Sequence, residues 1–204
     1  IGSAELLENG LVKPEDQPRF LNRIHQEADR LVALINDILR LSQLDEGGAL
    51  PHEQVSVLEL AQEAARSLTA QAAAQAMYIS VTGIAGTVFG VRRLLYEIAR
   101  NLCENAVKYN VPGGSVTVEV AETDRNVTLL VRDTGIGIPA AEQSRVFERF
   151  YRVDKSHSRA IGGTGLGLSI VKHAVAYHHG TLRLESQPGK GTVITVTLPK
   201  KPTE

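Results

Sequence analysis

Asn101, Asn105 and Lys108 are spaced by four and three residues, and Tyr109 follows directly. On a helix this spacing puts two amides and an ammonium on one face, with an aromatic ring at its edge. Such a row can serve phosphate oxygens, a hydrated cation and a flat base. It also suits a partly exposed helix carrying ordinary polar residues, so the rest of the chain must decide. Asp133 supplies a carboxylate in Asp133-Thr134-Gly135-Ile136-Gly137-Ile138-Pro139, directly after a predicted strand. There it can accept a hydrogen bond from an exocyclic amine, and the glycines let backbone approach a ligand. A plain turn uses the same residue types. Gly162-Gly163-Thr164-Gly165-Leu166-Gly167-Leu168 leads into a predicted helix. Free amides at a helix start can seat phosphate. Leu166 and Leu168 continue an apolar helical pattern, which argues against a flexible linker.

Commoner nucleotide motifs fail. Gly189-Lys190 lacks the upstream Gly and the following Ser or Thr of a P-loop, and Gly162 meets Thr164 where G-x-G-x-x-G needs Gly. Ser/Thr kinase signatures are missing.

Residues 92–109 hold no Gly or Pro, and Leu94, Leu95, Ile98, Leu102 and Ala106 give helical periodicity. Residues 1–9 read as the tail of a helix stopped near Gly10. A long helix starts at Asp16 or Gln17, with Pro18 in its first turn, and ends at Gly47-Gly48. Leu21, Ile24, Ala28, Leu31, Ile35 and Ile38 follow heptad spacing, widened by Leu34, Leu41 and Leu44. A stripe that wide predicts a four-helix bundle, built when two copies join their helical hairpins. Residues 57–75 and 166–178 read as helices, and residues 140–147 as a short one. Strands are predicted within 51–56, then over 78–81, 115–120 and 127–132, with a closing hairpin of 181–186 and 192–198. Residues 152–162 are polar and loop-like. Antiparallel strand pairs with helices on one face predict an α+β, two-layer α/β sandwich over residues 49–204, preceded by a partial helical hairpin over residues 1–48.

The 204 residues are 43% hydrophobic, enough for a real core. A net charge of −1 offers no field for nucleic acid. The single Cys103 rules out a disulfide framework within the chain and fits a reducing compartment. It lies off the Asn101–Asn105 face and reads as core. The scattered histidines lack metal-ligand spacing, and His178-His179 is adjacent rather than i, i+4, so zinc is not expected. No apolar run reaches membrane-spanning length. The first residue is not Met, so the chain reads as a fragment.

The order Asn101…Asn105…Lys108-Tyr109, Asp133-x-Gly135-x-Gly137, Phe147-x-x-Phe150, Gly163-x-Gly165-x-Gly167 resembles bacterial two-component sensor histidine kinases, most of all the phosphate-sensor type. These match the N box, first glycine box, F box and second glycine box. The resemblance implies the histidine-kinase/Hsp90-like ATPase fold, with ATP and Mg2+ as ligands. It assigns Asn105 to magnesium, Asn101 and Lys108 to the nucleotide and its phosphates, Tyr109 to the side of adenine, and Asp133 to the adenine amino group. Gly135, Gly137, Gly163, Thr164, Gly165, Leu166 and Gly167 would surround the nucleotide, Thr192 would support the adenine pocket, and Arg149 and Arg152 would sit in a lid. It further implies a homodimer, a response-regulator receiver domain as partner, and a cytoplasmic position behind a membrane anchor outside this chain.

The family's phosphoacceptor His precedes an acid and, soon after, a Pro. Gly2-Ser3-Ala4-Glu5-Leu6-Leu7 matches the end of that helix, so the His is expected upstream of Ile1. His25 is followed by Gln26 and has no Pro until Pro51, so it is expected on a bundle flank. The isolated chain is therefore expected to bind Mg-ATP without phosphorylating itself. Two other readings stand beside the kinase. In ATP-driven machines such as gyrase, MutL or Hsp90, a general-base Glu precedes the magnesium Asn by four residues. Here that position is Asn101, which cannot take a proton, and Glu97 is a turn further away. A dimerisation module with a degenerate nucleotide site is opposed by the complete glycine boxes.

Overall fold

The computed structural model describes residues 2–45, 50–153 and 164–201. Helix α1 (Ser3–Glu8) and the long α2 (Gln17–Asp45) open the chain and pack on each other. Strand β1 (Glu53–Ser56) follows, then α3 (Val57–Ala73), β2 (Tyr78–Gly83), β3 (Thr87–Gly90), α4 (Arg92–Lys108), β4 (Ser115–Glu122) and β5 (Asn126–Asp133). After a 3-10 turn at Ala140–Glu142 come α5 (Gly167–Tyr177), β6 (Thr181–Ser186) and β7 (Thr192–Pro199). Gly47 and Gly48, the expected end of the long helix, lie outside the described residues, as do Gly163 and most of the expected lid.

The main sheet has the order β2-β4-β5-β7-β6. Its alternation is clean because one face is covered. Val116, Val118 and Val120 of β4, Val127, Leu129 and Val131 of β5, and Ile194, Val196 and Leu198 of β7 are all buried. Burying each such side chain stabilises the fold by about 1.5–3 kcal/mol. Helix α4 lies over this face between α3 and α5. Its buried set includes Ala99, Cys103 and Val107 beside the expected Leu94, Leu95, Ile98, Leu102 and Ala106. The stripe is wide because neighbours press on the helix from both sides.

The structure corrects two expectations and adds one strand. Strand β2 pairs with β4 in parallel, with Tyr78 opposite Ser115, so the sheet is mixed rather than antiparallel throughout. The α4 crossover carries the chain back before β4 starts, and that makes the pair parallel. The helix expected over residues 140–147 contracts to the 3-10 turn, and turns continue to Phe150, whose backbone reaches φ 63. Strand β3, not anticipated, pairs antiparallel with β1 in a separate two-stranded sheet.

His178 fixes the start of α4. It is buried, its Nδ1 lies 2.7 Å from Ala174 O, and its Nε2 accepts the Val91 N–H at 3.0 Å. His25 is exposed on α2, 3.6 Å from Asp29 Oδ2. On the same helix Leu21, Leu31, Val32 and Ile35 are more than half exposed. No described helix is long and apolar enough to cross a membrane.

Candidate functional site

The last two turns of α4 carry Asn101, Asn105 and Lys108, all half-exposed while Leu102, Cys103, Ala106 and Val107 are buried beneath them. The expected polar row is thus the one face of α4 that packing leaves open. Asn101 is fixed within it: its Nδ2 donates to Glu97 O at 2.8 Å and to Glu97 Oε2 at 3.2 Å. Both amide protons are spent on the helix, so the Asn101 oxygen is the atom turned to other groups. Glu97 itself is buried and lies 3.9 Å from Arg100.

The first glycine loop closes against one end of this row. Ile136 N–H donates to Tyr109 O at 3.1 Å, and the Thr134 hydroxyl donates to Asn110 Oδ1 at 3.1 Å. Asp133 ends β5 with its carboxylate held by two backbone donors, Gly135 N–H at 2.8 Å and Thr192 N–H at 3.1 Å. Both bonds fall on Oδ1, which leaves Oδ2 as the oxygen best placed to accept from a ligand. Burial raises the Asp133 pKa and outweighs those two bonds, which lower it. A half-buried carboxylate with no ion pair among the described residues gains from a donor arriving in the site.

The β6–β7 turn clasps the same loop from the far side. Gly189 N–H donates to Ile136 O at 2.8 Å. Gly137, at φ 69, lies so close to Gln187 O that a Cβ would stand 2.0 Å away. Gly191, at φ 82, is packed equally tightly on Asp133 O. At both positions only glycine allows the conformation and the approach. Thr192 is buried and pairs with Ser186 in the hairpin.

The second glycine segment lies along the other flank of α4. Thr164 Oγ1 accepts the Leu166 N–H at 3.3 Å, and Gly165 O accepts the Phe150 N–H at 3.0 Å. Gly167 starts α5 so near α4 that a Cβ there would be 2.9 Å from Asn101 Oδ1. Leu166 is fully buried, clustered with Ile170 and with Leu34 of α2. The N-terminal amides of α5 therefore open beside the Asn101–Asn105 row.

Lys108 is desolvated, which lowers its pKa first of all; Glu104 raises it and the nearby Arg152 lowers it. Its ammonium stands 5.8 Å from the Tyr109 ring centroid. Arg152 also acts on Tyr109, whose pKa is raised chiefly by burial. Two cations near each other at the end of α4 make a place for an anion. Arg149 Nη2 lies 3.3 Å from His173 Nε2 on α5.

The structure thus brings Asn101, Asn105, Lys108, Tyr109, Asp133, Gly135, Gly137, Arg152, Thr164, Gly165, Leu166, Gly167 and Thr192 around the open face of α4. Asn110, Ser186 and Gln143, which brace the loop, went unnoticed in the sequence. Ser186 could have been found from the hairpin register, which sets it opposite Thr192. Among the described residues no group of three or more His, Cys, Asp or Glu could hold a metal ion. Cys103 is fully buried and its thiol is pushed up to about 12 by desolvation, which removes it as a nucleophile.

Residues 90–202 match the family model for histidine kinase-, DNA gyrase B-, and HSP90-like ATPases, and residues 1–47 match the His Kinase A (phospho-acceptor) domain. The chain is 40% identical over 210 residues to the sensor-like histidine kinase SenX3 of Mycolicibacterium smegmatis, covering 99% of this chain and 54% of that protein. The solved structure of a mycobacterial sensor histidine kinase, MprB, superposes with a TM-score of 0.65 at 33% identity, over 75% of this chain and 100% of that one. Full-length ShkA, solved in complex with AMPPNP, gives a TM-score of 0.76 at 27% identity, over 95% of this chain and 41% of that one. The chain spans about half the length of the curated SenX3 relatives that it matches, 54% and 50%. A phosphoacceptor-domain match followed by an ATPase match on one chain has the order of a sensor histidine kinase, and to that family, within the histidine kinase-, gyrase B- and HSP90-like ATPases, this chain belongs.

Proposed function

We propose that this chain is the catalytic portion of a sensor histidine kinase that binds Mg-ATP on the open face of α4. It hands the γ-phosphoryl group to a His upstream of Ile1, and from there the group passes to an Asp of a response-regulator receiver domain. Residues 1–48 belong to the dimerisation unit in this reading and residues 49–204 to the nucleotide-binding unit. The observation that carries it is the Asp133 carboxylate, held on Oδ1 by Gly135 and Thr192 N–H so that Oδ2 can accept the adenine amino group. Tyr109 would flank the base. The α5 amides, Lys108 and Arg152 would neutralise the phosphates.

The donor set suits magnesium. A hard cation that keeps several waters needs few protein oxygens, and the Asn105 amide supplies one without a cage of carboxylates. Held by Asn105, magnesium would supply positive charge to offset the charge that builds during transfer. Hydrolysis as the main reaction is disfavoured by the residues themselves. Asn101 has no basic atom, and Glu97 already accepts from Asn101 and lies beside Arg100. Without a positioned base for water, the phosphoryl group is kept for a protein acceptor.

The homodimer through α2 rests on the exposed Leu21, Leu31 and Ile35, which follow the heptad spacing. The test of the function is labelling with ATP carrying a marked γ-phosphate. The chain extended upstream should gain acid-labile phosphate on a His before Ile1, while the present chain gains none. Phosphate on His25 of the present chain, lost in His25→Gln, would overturn the assignment.

A further inference from the structure

We propose that Ser186 and Gln143 are positioning residues that set the base preference of this site; the proposal rests on the reading that adenine lies at Asp133 and Thr192. Ser186 Oγ has three partners. It donates to Gly191 O at 2.9 Å, accepts Ile138 N–H at 2.8 Å, and lies 2.9 Å from Thr192 Oγ1. A serine has one hydroxyl proton. That proton goes to Gly191 O, so the Thr192 hydroxyl must donate to Ser186. Thr192 then keeps only lone pairs for anything else that approaches. An acceptor at this position suits an exocyclic amine and repels a carbonyl, the difference between the six-position of adenine and that of guanine.

Gln143 locks the arrangement. Its Nε2 donates to Ile138 O at 3.0 Å and to Ser186 O at 2.9 Å, which uses both amide protons. One side chain thereby ties the first glycine loop to Ser186 at the end of β6, the residue that orients Thr192. Gln143 follows the 3-10 turn and Ser186 closes a strand, so neither belongs to the glycine boxes or to the α4 row. Their effect should fall on the base and leave the phosphates alone.

The experiment compares ATP, GTP and Mg-tripolyphosphate binding by calorimetry in the full chain and in Ser186→Ala, Ser186→Thr and Gln143→Glu. The parent should prefer ATP to GTP. Ser186→Ala frees the Thr192 proton, and the ATP-over-GTP ratio should fall about tenfold, the loss of one buried hydrogen bond. Ser186→Thr restores the hydroxyl and should restore the ratio. Gln143→Glu replaces two donors by acceptors and should lower the ratio as Ser186→Ala does. Tripolyphosphate affinity should stay the same in all four. Folded Ser186→Ala or Gln143→Glu protein that keeps the parent ratio, or that loses ATP, GTP and tripolyphosphate together, would overturn the proposal. If Ser186→Ala unfolds, Gln143→Glu decides alone. A parent with no preference for ATP would instead remove the adenine reading on which the proposal stands.

Discussion

At the scale of single residues, the site holds a carboxylate that costs the empty protein stability. Burial raises the Asp133 pKa, so the folded chain holds that proton more tightly than the unfolded one does. Its contribution to stability is therefore greatest in acid, declines as pH rises through the carboxylate range, and is lost above the folded pKa. Asp133→Asn keeps an oxygen for Gly135 and Thr192 N–H but puts an amine where the adenine amine must donate. Adenine nucleotides should bind more weakly by about 1–3 kcal/mol, while the ligand-free melting temperature at neutral pH does not fall. Calorimetry and thermal melts on the same pair of proteins check both. Cys103 gives a second residue-scale expectation. Its buried thiol, with a pKa raised to about 12, should react with a disulfide reagent at pH 8 only as fast as the chain unfolds. Reaction at the rate of a free thiol would show that the α4 core is open. Asn101, Asn105, Lys108 and Asp133 were legible in the sequence because helical spacing and a strand end determine direction. Ser186 and Gln143 were not, since their partners lie 48 and 43 residues away along the chain.

At the scale of elements, α4 is held at its start by a histidine from the end of α5. Burial lowers the His178 pKa, so protons bind the unfolded chain more readily. The stability from His178 is intact above its ordinary pKa and drops as pH falls below about 6.5. His178→Gln should flatten that part of the stability–pH curve, measured by urea unfolding from pH 7.5 to 5. It should also cost about 1–3 kcal/mol at pH 7.5 through the Val91 N–H. Helix α4, with its long periodic stripe, was legible; so were β4 and β5, which alternate and meet in a tight turn. The parallel β2–β4 pairing was not, because period-two alternation is the same in either direction and only the α4 crossover sets it. The four residues of β3 were too few to carry a pattern. The turn after Ala140–Glu142 escaped because the Gln143 side chain reaches back to Ile138 and Ser186, a contact outside local propensity.

At the scale of the whole molecule, residues 1–47 match a phosphoacceptor domain and residues 90–202 an ATPase. The exposed Leu31 and Ile35 on α2 belong to a surface that a second copy should cover. Leu31→Asp would bury an unpaired charge there and should give monomers where the parent forms dimers, as read by light scattering. Helix α2 also reaches the nucleotide unit, where Leu34 packs on Leu166 and Ile170 at the start of α5. That contact links α2 to the start of α5, beside Asn101. All of this depends on nucleotide binding at the open face of α4. The most direct test is titration of the parent chain with Mg-ATP beside Asn105→Ala and Asp133→Asn. The parent should show one saturable site per chain. Asn105→Ala should remove the magnesium dependence of the affinity, and Asp133→Asn should weaken ATP about 5- to 150-fold. A parent that takes up no Mg-ATP, or variants that bind it as the parent does, would contradict it.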